Sequence, residues 1–394
     1  MGEVIEKIQE SLRKSKTDGW LFYSFRHSDP FAPRILKFKE RGHATRRWLY
    51  FVPKSGSPIK IVHAIERDTL EDLEGETIEY LSWQELHAAI EKALEGSIII
   101  AMQFSPMNDI PYVSCVDAGM VDLIRSKGKQ VVTSAELIQE FESILSDEQM
   151  ESHKSACTLL RRFVDEVFRE TGERVRAGVE TDECDVQKMI TDRFAANGLV
   201  TSSLPVAAVN ENSANPHYEP EKGRCLPVRA GDFLLIDLWA KLDAPHSVYG
   251  DITWTGFLGS EVPEEHARVF SVAAGARDAA LDLICRCFSE KKKLCGRQVD
   301  DEARRVITEA GYGKNFIHRT GHSIGEECHG TGVMIDNLET RDNRIITKGC
   351  CFSIEPGIYL PGRFGVRTEI DVFIGSGGPM VFGGPIQTEI VKIV

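Results

Sequence analysis

Apolar residues in the first third of the chain alternate between helical spacing and short strand-like runs. Ile5, Ile8 and Leu12 recur on one helix face, which predicts a helix over residues 4–14. Runs typical of strands follow at residues 20–25, 48–52, 59–63, 98–101 and 130–132. Thr133 and Glu136 have capping-box spacing, so a further helix is expected to about residue 145. We predict a small mixed α/β domain over residues 1–145.

A second capping box, Ser146 with Gln149, marks the start of a long amphipathic helix and of a second domain over residues 146–394. Its apolar stripe consists of Leu159, Leu160, Phe163, Val167 and Phe168. Helix-rich blocks at about 147–198 and 263–311 each precede strand-rich blocks at about 203–257 and 316–394. Residues 178–182 are similar to residues 296–300, so we hypothesise an internal duplication. The fold class is predicted as α/β (α+β).

The composition of the chain limits the classes of molecule that we expect it to bind. The 394 residues include 47 basic and 60 acidic side chains, and the formal net charge of −13 repels a phosphate backbone. Nucleic acid is therefore not expected as a partner. No run reaches the roughly 18 apolar residues of a membrane span, and residues 1–16 lack the apolar core of a signal peptide. We expect a cytoplasmic protein without membrane contact.

The chain contains ten cysteines, no two of which form a Cys-x-x-Cys pair. This spacing favours neither a disulfide framework nor a zinc ribbon. Because free cysteine is among the most buried residue types, we expect reduced, mostly buried thiols.

Acidic residues interrupt several apolar runs in the second half of the chain. Asp237 lies in Phe-Leu-Leu-Ile-Asp-Leu-Trp, Glu355 follows Cys-Cys-Phe-Ser-Ile, and Glu369 lies in Gly-Val-Arg-Thr-Glu-Ile-Asp-Val. Acids are seldom buried unless they are paired or bind a metal. Several in one region therefore indicate a shared positive charge.

Strand alternation predicts which polar side chains lie beside these acids. Thr253 and Thr255 share a face with Asp251, so we expect their hydroxyls to orient its carboxylate. Arg367 shares a face with Glu369 in another predicted strand. An arginine beside a glutamate favours the ionised carboxylate, so Glu369 is expected to stay charged.

Residues 318–325, His-Arg-Thr-Gly-His-Ser-Ile-Gly, contain two histidines four positions apart. Thr320 and Gly321 disfavour a helix, so we predict a strand with His318 and His322 on one face. His322 is the histidine expected to bind a metal. Structural roles are expected for His27, His43, His63, His87, His153 and His266.

Four acids, Asp237, Asp251, Glu355 and Glu369, together with His322 make an oxygen-rich set of donors. Such a set suits a pair of hard or borderline divalent ions such as Mn²⁺ better than a structural zinc. Two ions about 3.5–4 Å apart can share bridging carboxylates and a bridging hydroxide that attacks at neutral pH. The spacing of the five residues is irregular, so it does not by itself identify the reaction.

The same ordered set of five resembles the metal ligands of the pita-bread metallopeptidases, the family of methionine aminopeptidase, prolidase and aminopeptidase P. The resemblance spans roughly residues 147–394. It rests on Leu-Ile-Asp237, Asp251-Ile-Thr-Trp-Thr, His318-Arg-Thr-Gly-His322-Ser-Ile-Gly, Ser-Ile-Glu355-Pro-Gly-Ile-Tyr and Gly-Val-Arg367-Thr-Glu369. Residues 1–145 are similar to the N-terminal domain of prolidase, aminopeptidase P and creatinase, which methionine aminopeptidase lacks. The implied fold is a pita-bread catalytic domain with pseudo-twofold internal duplication.

The resemblance implies a role for each matching residue. Asp237 would bind one metal, and Asp251 and Glu369 would bridge the two metals. His322 and Glu355 would complete the two coordination shells, and Glu355 would also shuttle the proton.

Further roles are implied for residues around the ligands. His217 and His329 would position the scissile amide and stabilise its oxyanion. His318, Arg367 and Thr253 would support the ligands or the substrate. The resemblance also implies two divalent ions, Mn²⁺ foremost with Co²⁺, Fe²⁺ or Zn²⁺ as alternatives, a peptide substrate and a homodimer.

The chain departs from the usual family pattern near the first ligands. The interval from Asp237 to Asp251 is longer than usual, which predicts an enlarged loop over residues 241–248 near the metals. This loop carries His246, for which we expect an exposed position. The Leu238-Trp239 pair, Trp254 and Gly330 also differ from the residues usual in the family, and each is expected to reshape the substrate pocket.

Three hypotheses on function remain. The first is an enzyme that removes the N-terminal residue from Xaa-Pro peptides, as an Xaa-Pro dipeptidase or aminopeptidase, using a metal-bridging hydroxide. The second is a metal-dependent lyase acting on a small sulfonium acid, or another small-molecule enzyme on the same fold. The third is a non-catalytic binding protein. Creatinase-like hydrolysis is disfavoured, because that relative works without the metal set.

Overall fold

Two structural units make up the chain, Met1–Glu142 and Ser143–Val394. The computed structural model describes residues 2–39 and 44–393. From the sequence we placed the domain boundary between residues 145 and 146. His43, which was assigned a structural role from the sequence, lies outside the described residues.

The first unit is built on a six-stranded mixed sheet with the strand order β4-β3-β2-β1-β5-β6. The strands are β1 (Gly19–Phe25), β2 (Arg47–Pro53), β3 (Ile59–His63), β4 (Glu76–Tyr80), β5 (Ile99–Met102) and β6 (Gln130–Thr133). The helices are α1 (Gly2–Ser15), α2 (Phe31–Ile35), α3 (Trp83–Ala93), α4 (Ala118–Ser126) and α5 (Ala135–Glu142). Short 3-10 turns lie at Pro106–Asn108 and Pro111–Val113.

Strand β1 is apolar on both faces because each face of the sheet is covered. Trp20 and Phe22 pack into one core cluster, whereas Leu21 and Tyr23 pack into another on the opposite face. The sequence predicted five of these strands but missed β4, whose side chains are mostly exposed and polar.

The second unit contains four long helices and ten strands among its described residues. The helices are α6 (Asp147–Arg176), α7 (Glu183–Ala196), α8 (Glu264–Ser289) and α9 (Gly296–Glu309). The first five strands are β7 (Leu199–Val200), β8 (Val206–Val209), β9 (Phe233–Leu242), β10 (Gly250–Phe257) and β11 (Cys351–Ile354). The others are β12 (Gly357–Leu360), β13 (Phe364–Arg367), β14 (Ile370–Gly375), β15 (Gly378–Val381) and β16 (Val391–Lys392). Short 3-10 turns lie at Asn210–Ala214 and Gly313–Asn315.

The strands of the second unit form three sheets. β16, β10, β9 and β7 are neighbours in that order, with β8 also paired to β9. The other sheets are β11-β14-β15 and the pair β12-β13. Helix α6 begins at the predicted capping box of Ser146 and Gln149. Its stripe buries Leu160, Phe163 and Val167 against the β9–β10 sheet, while α8 and α9 line a second core with β11, β13 and β14.

The two halves of this unit repeat a pattern of paired helices followed by strands, but the matching residues differ from those we proposed. Asp182 is the N-cap of α7 and makes an isolated β-bridge to Pro227. Cys295 is the N-cap of α9 and makes an isolated bridge to Ile345. Asp182 therefore corresponds in position to Cys295 and not to Asp300, which lies inside α9.

One disulfide contradicts the expectation of reduced thiols throughout. Cys184 and Cys225 are bonded, with Cα atoms 6.0 Å apart and a sequence separation of 41 residues. No local motif marks a pair so far apart, and the spacing rules therefore missed it. The other eight cysteines are free, and five of them are buried. Within the described ranges, no helix is both long and apolar enough to cross a membrane.

Candidate metal centre

Asp237 and Asp251 project from the same side of the β9–β10 pair. Thr253 lies directly opposite Asp237 in the antiparallel register. Asp251 is two positions before Thr253 on β10, so the three side chains share one face of the sheet. Asp251 is 4% exposed and Thr253 is fully buried. The hydrogen-bonded pairing of the two strands therefore fixes the positions of both carboxylates, with Asp251 buried and the side chain of Asp237 13% exposed.

Glu355 and Glu369 each follow the end of a strand. Glu355 comes directly after β11, and its backbone N–H donates to the carbonyl of Thr320 at 2.7 Å. Glu369 lies between β13 and β14, and its N–H donates to the carbonyl of Thr253 at 3.4 Å. The contact with Thr253 holds Glu369 beside β10, and the contact with Thr320 holds Glu355 beside the segment that carries His322.

His322 reaches the same place from an extended segment and not from the regular strand we predicted. Gly321 and Ser323 make isolated bridges to two different segments, so no continuous ladder forms. A Cβ atom at Gly321 would lie 1.9 Å from the carbonyl oxygen of Ser353, so glycine is needed for this close approach. The N–H of His322 donates to Ser353 Oγ at 3.0 Å.

The structure brings all five predicted ligands together. His322 Nε2 lies 3.6 Å from Asp251 Oδ2 and 3.4 Å from Glu355 Oε1. One donor atom each from Asp251, His322 and Glu369 lie within 4.8 Å of one another. Asp237 joins them through the Thr253 hydroxyl, which is 3.0 Å from Asp237 Oδ1 and 2.7 Å from Glu369 Oε2.

Our expectation that Thr253 and Thr255 would orient Asp251 was wrong. The Thr253 hydroxyl contacts Asp237 and Glu369, because residues directly opposite across strands are closer than residues two apart on one strand. Thr255 lies beside the side chain of Gln387. The neighbour of Asp251 Oδ2 is instead the thiol of Cys328, which donates to it at 3.1 Å.

A chain of hydrogen bonds supports the carboxylates from one side. The Arg367 guanidinium bonds Asp237 directly and donates to Tyr359 Oη at 3.0 Å. Tyr359 Oη lies 2.8 Å from His318 Nε2, and His318 Nδ1 lies 2.7 Å from the carbonyl of Arg319. Because a carbonyl only accepts, Nδ1 carries the proton and Nε2 accepts from the tyrosine. Burial lowers the pKa of His318 to about 3, which keeps the ring neutral.

The buried acids of the cluster disfavour several negative charges at once. Burial and then the neighbouring carboxylates raise the pKa values of Asp251 and Glu369 well above their usual range. Burial raises the pKa of Glu355 to about 7, although Arg367 opposes the shift. Several acids surround one guanidinium, and the expectation that Arg367 keeps Glu369 ionised stays a prediction.

The orientation of His322 tests whether divalent ions fit. Its Nδ1 lies 3.2 Å from the carbonyl of Ser323, so Nε2 presents a lone pair to Asp251 and Glu355. A lone pair facing two carboxylates is repulsive unless a cation lies between them. Two divalent ions would balance four carboxylates, and the mixed oxygen and imidazole donors suit them. The residues therefore fit the metals that the sequence implied.

The two histidines predicted to contact substrate occupy different surroundings. His329 stacks edge-on against His322, with ring centroids 4.3 Å apart. Burial is the main cause that lowers the pKa of His329. The charges of Arg319 and His217 lower it further. His217 is exposed in the turn after residues 210–214, and its N–H donates to Asn215 Oδ1 at 3.1 Å.

The predicted enlarged loop is shorter than expected, because β9 continues to Leu242. His246 is exposed, and its Nδ1 lies 3.0 Å from Glu326 Oε1.

A buried carboxylate that the sequence did not single out holds the segment carrying His217. Glu183 Oε1 accepts the N–H of Val209 at 2.6 Å, and Oε2 accepts the N–H of Leu226 at 2.7 Å. Tyr218 Oη donates to Oε2 at 2.5 Å, and Asn212 Nδ2 donates at 2.9 Å. The Cys184–Cys225 disulfide adds a covalent tie next to Glu183. Its position at the start of α7, inside a capping box, was the available signal.

With this geometry established, comparison with known proteins identifies the family. The model of metallopeptidase family M24 matches residues 151–376, more than half of the chain. The chain therefore belongs to metallopeptidase family M24.

Individual relatives are similar over part of the chain. Xaa-Pro dipeptidase of Lactobacillus delbrueckii subsp. lactis is 31% identical over 198 residues, which is 50% of this chain and 49% of the relative. Xaa-Pro dipeptidase of Pyrococcus furiosus is 28% identical over 256 residues, 64% of this chain and 67% of the relative. The matches to the first of these curated relatives thus span about half of their length or less.

Solved structures match nearly the whole chain. Dipeptidase PepE from Mycobacterium ulcerans has a TM-score of 0.69 at 20% identity, covering 100% of this chain and 97% of the other. Prolidase from Thermococcus sibiricus has a TM-score of 0.60 at 24% identity, covering 98% of each chain. These likenesses establish the predicted fold, with the pita-bread domain in the second unit.

Proposed function

We propose that this chain is a metal-dependent exopeptidase that removes the N-terminal residue from Xaa-Pro peptides. The observation that carries the proposal is the convergence of Asp237, Asp251, His322, Glu355 and Glu369 in one buried cluster. The names of the relatives, Xaa-Pro dipeptidase and prolidase, support this substrate class and do not favour a lyase or a binding protein.

The five donors would hold two divalent ions. These donors are the carboxylates of Asp237, Asp251, Glu355 and Glu369 and the imidazole of His322. When bound, such ions supply Lewis acidity that activates water at neutral pH and polarises the scissile carbonyl. The family implies divalent metals. Mn²⁺ is the proposed one because of the oxygen-rich donors, with Co²⁺, Fe²⁺ or Zn²⁺ as alternatives.

The remaining steps belong to side chains of the protein. Glu355 would take the proton of the attacking water and return it to the leaving proline nitrogen. His217 and His329 would position the amide and stabilise the oxyanion. Neither role needs an N–H on the scissile bond, which suits a peptide bond to proline.

Supporting residues would keep the carboxylates in place. The Thr253 hydroxyl lies within hydrogen-bonding distance of both Asp237 and Glu369 and can donate to one of them, and Arg367 links Asp237 to the Tyr359–His318 pair. These contacts restrict the rotation of the ligands, as hydrogen bonds behind metal ligands commonly do. Homodimerisation and a cytoplasmic location remain predictions from the sequence.

The proposal is tested by product analysis. Mn²⁺-reconstituted protein is incubated with Xaa-Pro dipeptides, Xaa-Pro-Yaa tripeptides and a Met-Ala-Ser peptide, and the products are identified by mass spectrometry. We expect release of the residue before proline. The Glu355→Ala variant should be inactive, while Glu180→Ala, at an exposed site, serves as the matched control.

The outcomes separate the possible specificities. Cleavage of dipeptides alone identifies a dipeptidase, and cleavage of the tripeptides as well identifies an aminopeptidase. Release of methionine from the Met-Ala-Ser peptide, without Xaa-Pro cleavage, contradicts the proposed substrate class. Failure to cleave any peptide with two metals bound overturns the proposal and favours small-molecule chemistry.

A further inference from the structure

A second group of metal-binding side chains lies in the core of the second unit. His153 and Cys157 are one helical turn apart on α6, so both point to one side of the helix. Asp371 comes from β14 and Cys351 from β11, which are paired strands. Each of these four residues is at most 1% exposed. None belongs to the five proposed catalytic ligands.

The donor atoms of His153, Cys157 and Asp371 lie 3.4–3.9 Å apart, close to the ligand spacing of a tetrahedral zinc site, and Cys351 adjoins them through His153. Cys157 Sγ lies 3.6 Å from His153 Nε2 and 3.4 Å from Asp371 Oδ2. Cys351 Sγ lies 3.5 Å from His153 Nε2, which is 3.9 Å from Asp371 Oδ2. Tetrahedral zinc, with bonds of about 2.0–2.3 Å, separates neighbouring ligand atoms by about 3.3–3.8 Å. The donors of His153, Cys157 and Asp371 all lie within 4.8 Å of one another.

The tautomer of His153 directs a free lone pair into the group. Its Nδ1 lies 2.6 Å from the carbonyl oxygen of Tyr249, and a carbonyl can only accept. Nδ1 therefore carries the proton, and Nε2 faces two thiols and a carboxylate. A histidine whose second nitrogen donates to a carbonyl is the usual arrangement in protein metal sites.

Asp371 supplies a second, independent observation. Its Oδ2 accepts the N–H of Asp251 at 2.7 Å and the thiol of Cys157. Its Oδ1 is buried and has no hydrogen-bond partner within residues 2–39 and 44–393. A purely hydrogen-bonded cluster of thiols, imidazole and carboxylate leaves this oxygen unsatisfied, at a cost of roughly 1–3 kcal/mol. A cation bound through both oxygens of Asp371 would remove that cost.

We propose that His153, Cys157, Cys351 and Asp371 form a structural site for one thiophilic divalent ion, with zinc as the best match. Four protein ligands close the coordination shell, which is typical of structural and not catalytic zinc. The two thiols lose their protons to solvent when the ion binds. Because Asp371 also accepts the N–H of Asp251, the ion would brace β10 behind the candidate catalytic centre.

Thiolate ligation gives a spectroscopic test that oxygen-rich ligands cannot mimic. The full-length protein is stripped with a chelator and reconstituted with Co²⁺ alone. We expect a sulfur-to-cobalt charge-transfer band in the near ultraviolet and one bound ion more than the catalytic pair. Cys157→Ser should lose the band and about one equivalent of bound metal, measured by inductively coupled plasma mass spectrometry.

Matched cysteine variants locate the thiolates. Cys328→Ser removes a thiol beside Asp251, and Cys350→Ser removes a buried thiol next to Cys351. Both variants should keep the band. A band that survives in Cys157→Ser or disappears in Cys328→Ser overturns the assignment.

A measurement on the unmodified protein covers the case in which Cys157→Ser does not fold. X-ray absorption at the zinc edge should detect sulfur scatterers at about 2.3 Å in zinc-reconstituted protein. A coordination shell of nitrogen and oxygen alone would show that the four residues form only a hydrogen-bonded cluster.

Discussion

Thr253 lies directly opposite Asp237 across the β9–β10 pair, and its hydroxyl reaches both Asp237 and Glu369. This one oxygen also accepts from Arg367 Nε at 3.1 Å. A threonine therefore lies between two proposed ligands, one from β9 and one from the segment between β13 and β14.

Replacing Thr253 by valine keeps the shape of the side chain and removes the hydroxyl. We expect metal affinity to fall about 10–100-fold, as it does when a partner behind a ligand is removed. Thr253→Ser should retain affinity close to that of the unmodified protein. Metal titration by calorimetry measures both variants, and an unchanged affinity in Thr253→Val would exclude the orienting role.

His329 and His322 are adjacent rings with different predicted roles. His329→Ala should retain the metal and lower kcat by roughly 100–1,000-fold, the size of effect found for an oxyanion donor. His322→Ala should lose metal. Metal content and kcat are measured on the same preparations. If His329→Ala loses as much metal as His322→Ala, then His329 is a ligand and not a substrate contact.

Glu183 should position the segment that carries His217. Glu183→Gln replaces an acceptor oxygen by an amide that faces N–H donors, so we expect a loss of roughly 1–3 kcal/mol in unfolding free energy. We also expect a lower kcat with unchanged metal content. Urea unfolding and steady-state kinetics test both effects, with Glu180→Gln at an exposed site as the control. Unaltered kcat in a destabilised Glu183→Gln protein would limit Glu183 to stability.

Asp18 should make the stability of the first unit dependent on pH. Its carboxylate accepts from Lys54 and from the N–H groups of Ile98 and Ile99, which together lower its pKa from 3.8 to about 2. A lowered pKa in the folded state contributes stability above the unfolded pKa and loses it as the pH falls. Asp18→Asn should therefore cost on the order of 1–2 kcal/mol at pH 7.

The cost of Asp18→Asn should shrink between about pH 4 and pH 2, where the native aspartate becomes protonated. Urea unfolding of the full chain, followed by circular dichroism across this range, measures the difference. Asp68→Asn, an exposed change in the same unit, is the control. A difference that does not vary with pH would contradict the ionic origin of the effect.

Local patterns were sufficient for much of the fold. The period of apolar residues predicted β1 and β3, and the capping box at Ser146 predicted the start of α6. The edge strand β4 was missed because it contains only two apolar residues, Ile78 and Tyr80, too few to mark a strand. The extended His322 segment was predicted as a strand because side-chain alternation does not reveal whether a hydrogen-bonded partner is present.

The candidate site was predictable in its residues and not in its contacts. Acids within apolar runs, with the family motifs, indicated the five ligands. Thr253 contacts Asp237 and not Asp251 because of the register between β9 and β10. The sequence of neither strand alone encodes that register. Glu183 contacts Leu226 and Cys184 is bonded to Cys225, and each pair is about forty residues apart in the sequence. Rules based on local residue spacing do not detect contacts over such a separation.

The order of the ligands along the chain links metal binding to protein synthesis. A chain translated only as far as β10 contains Asp237 and Asp251, but His322, Glu355 and Glu369 emerge later. Glu369 directly precedes β14, which pairs with β11. A nascent chain therefore offers no complete set of the five donors to passing metal ions until residue 369 has been synthesised.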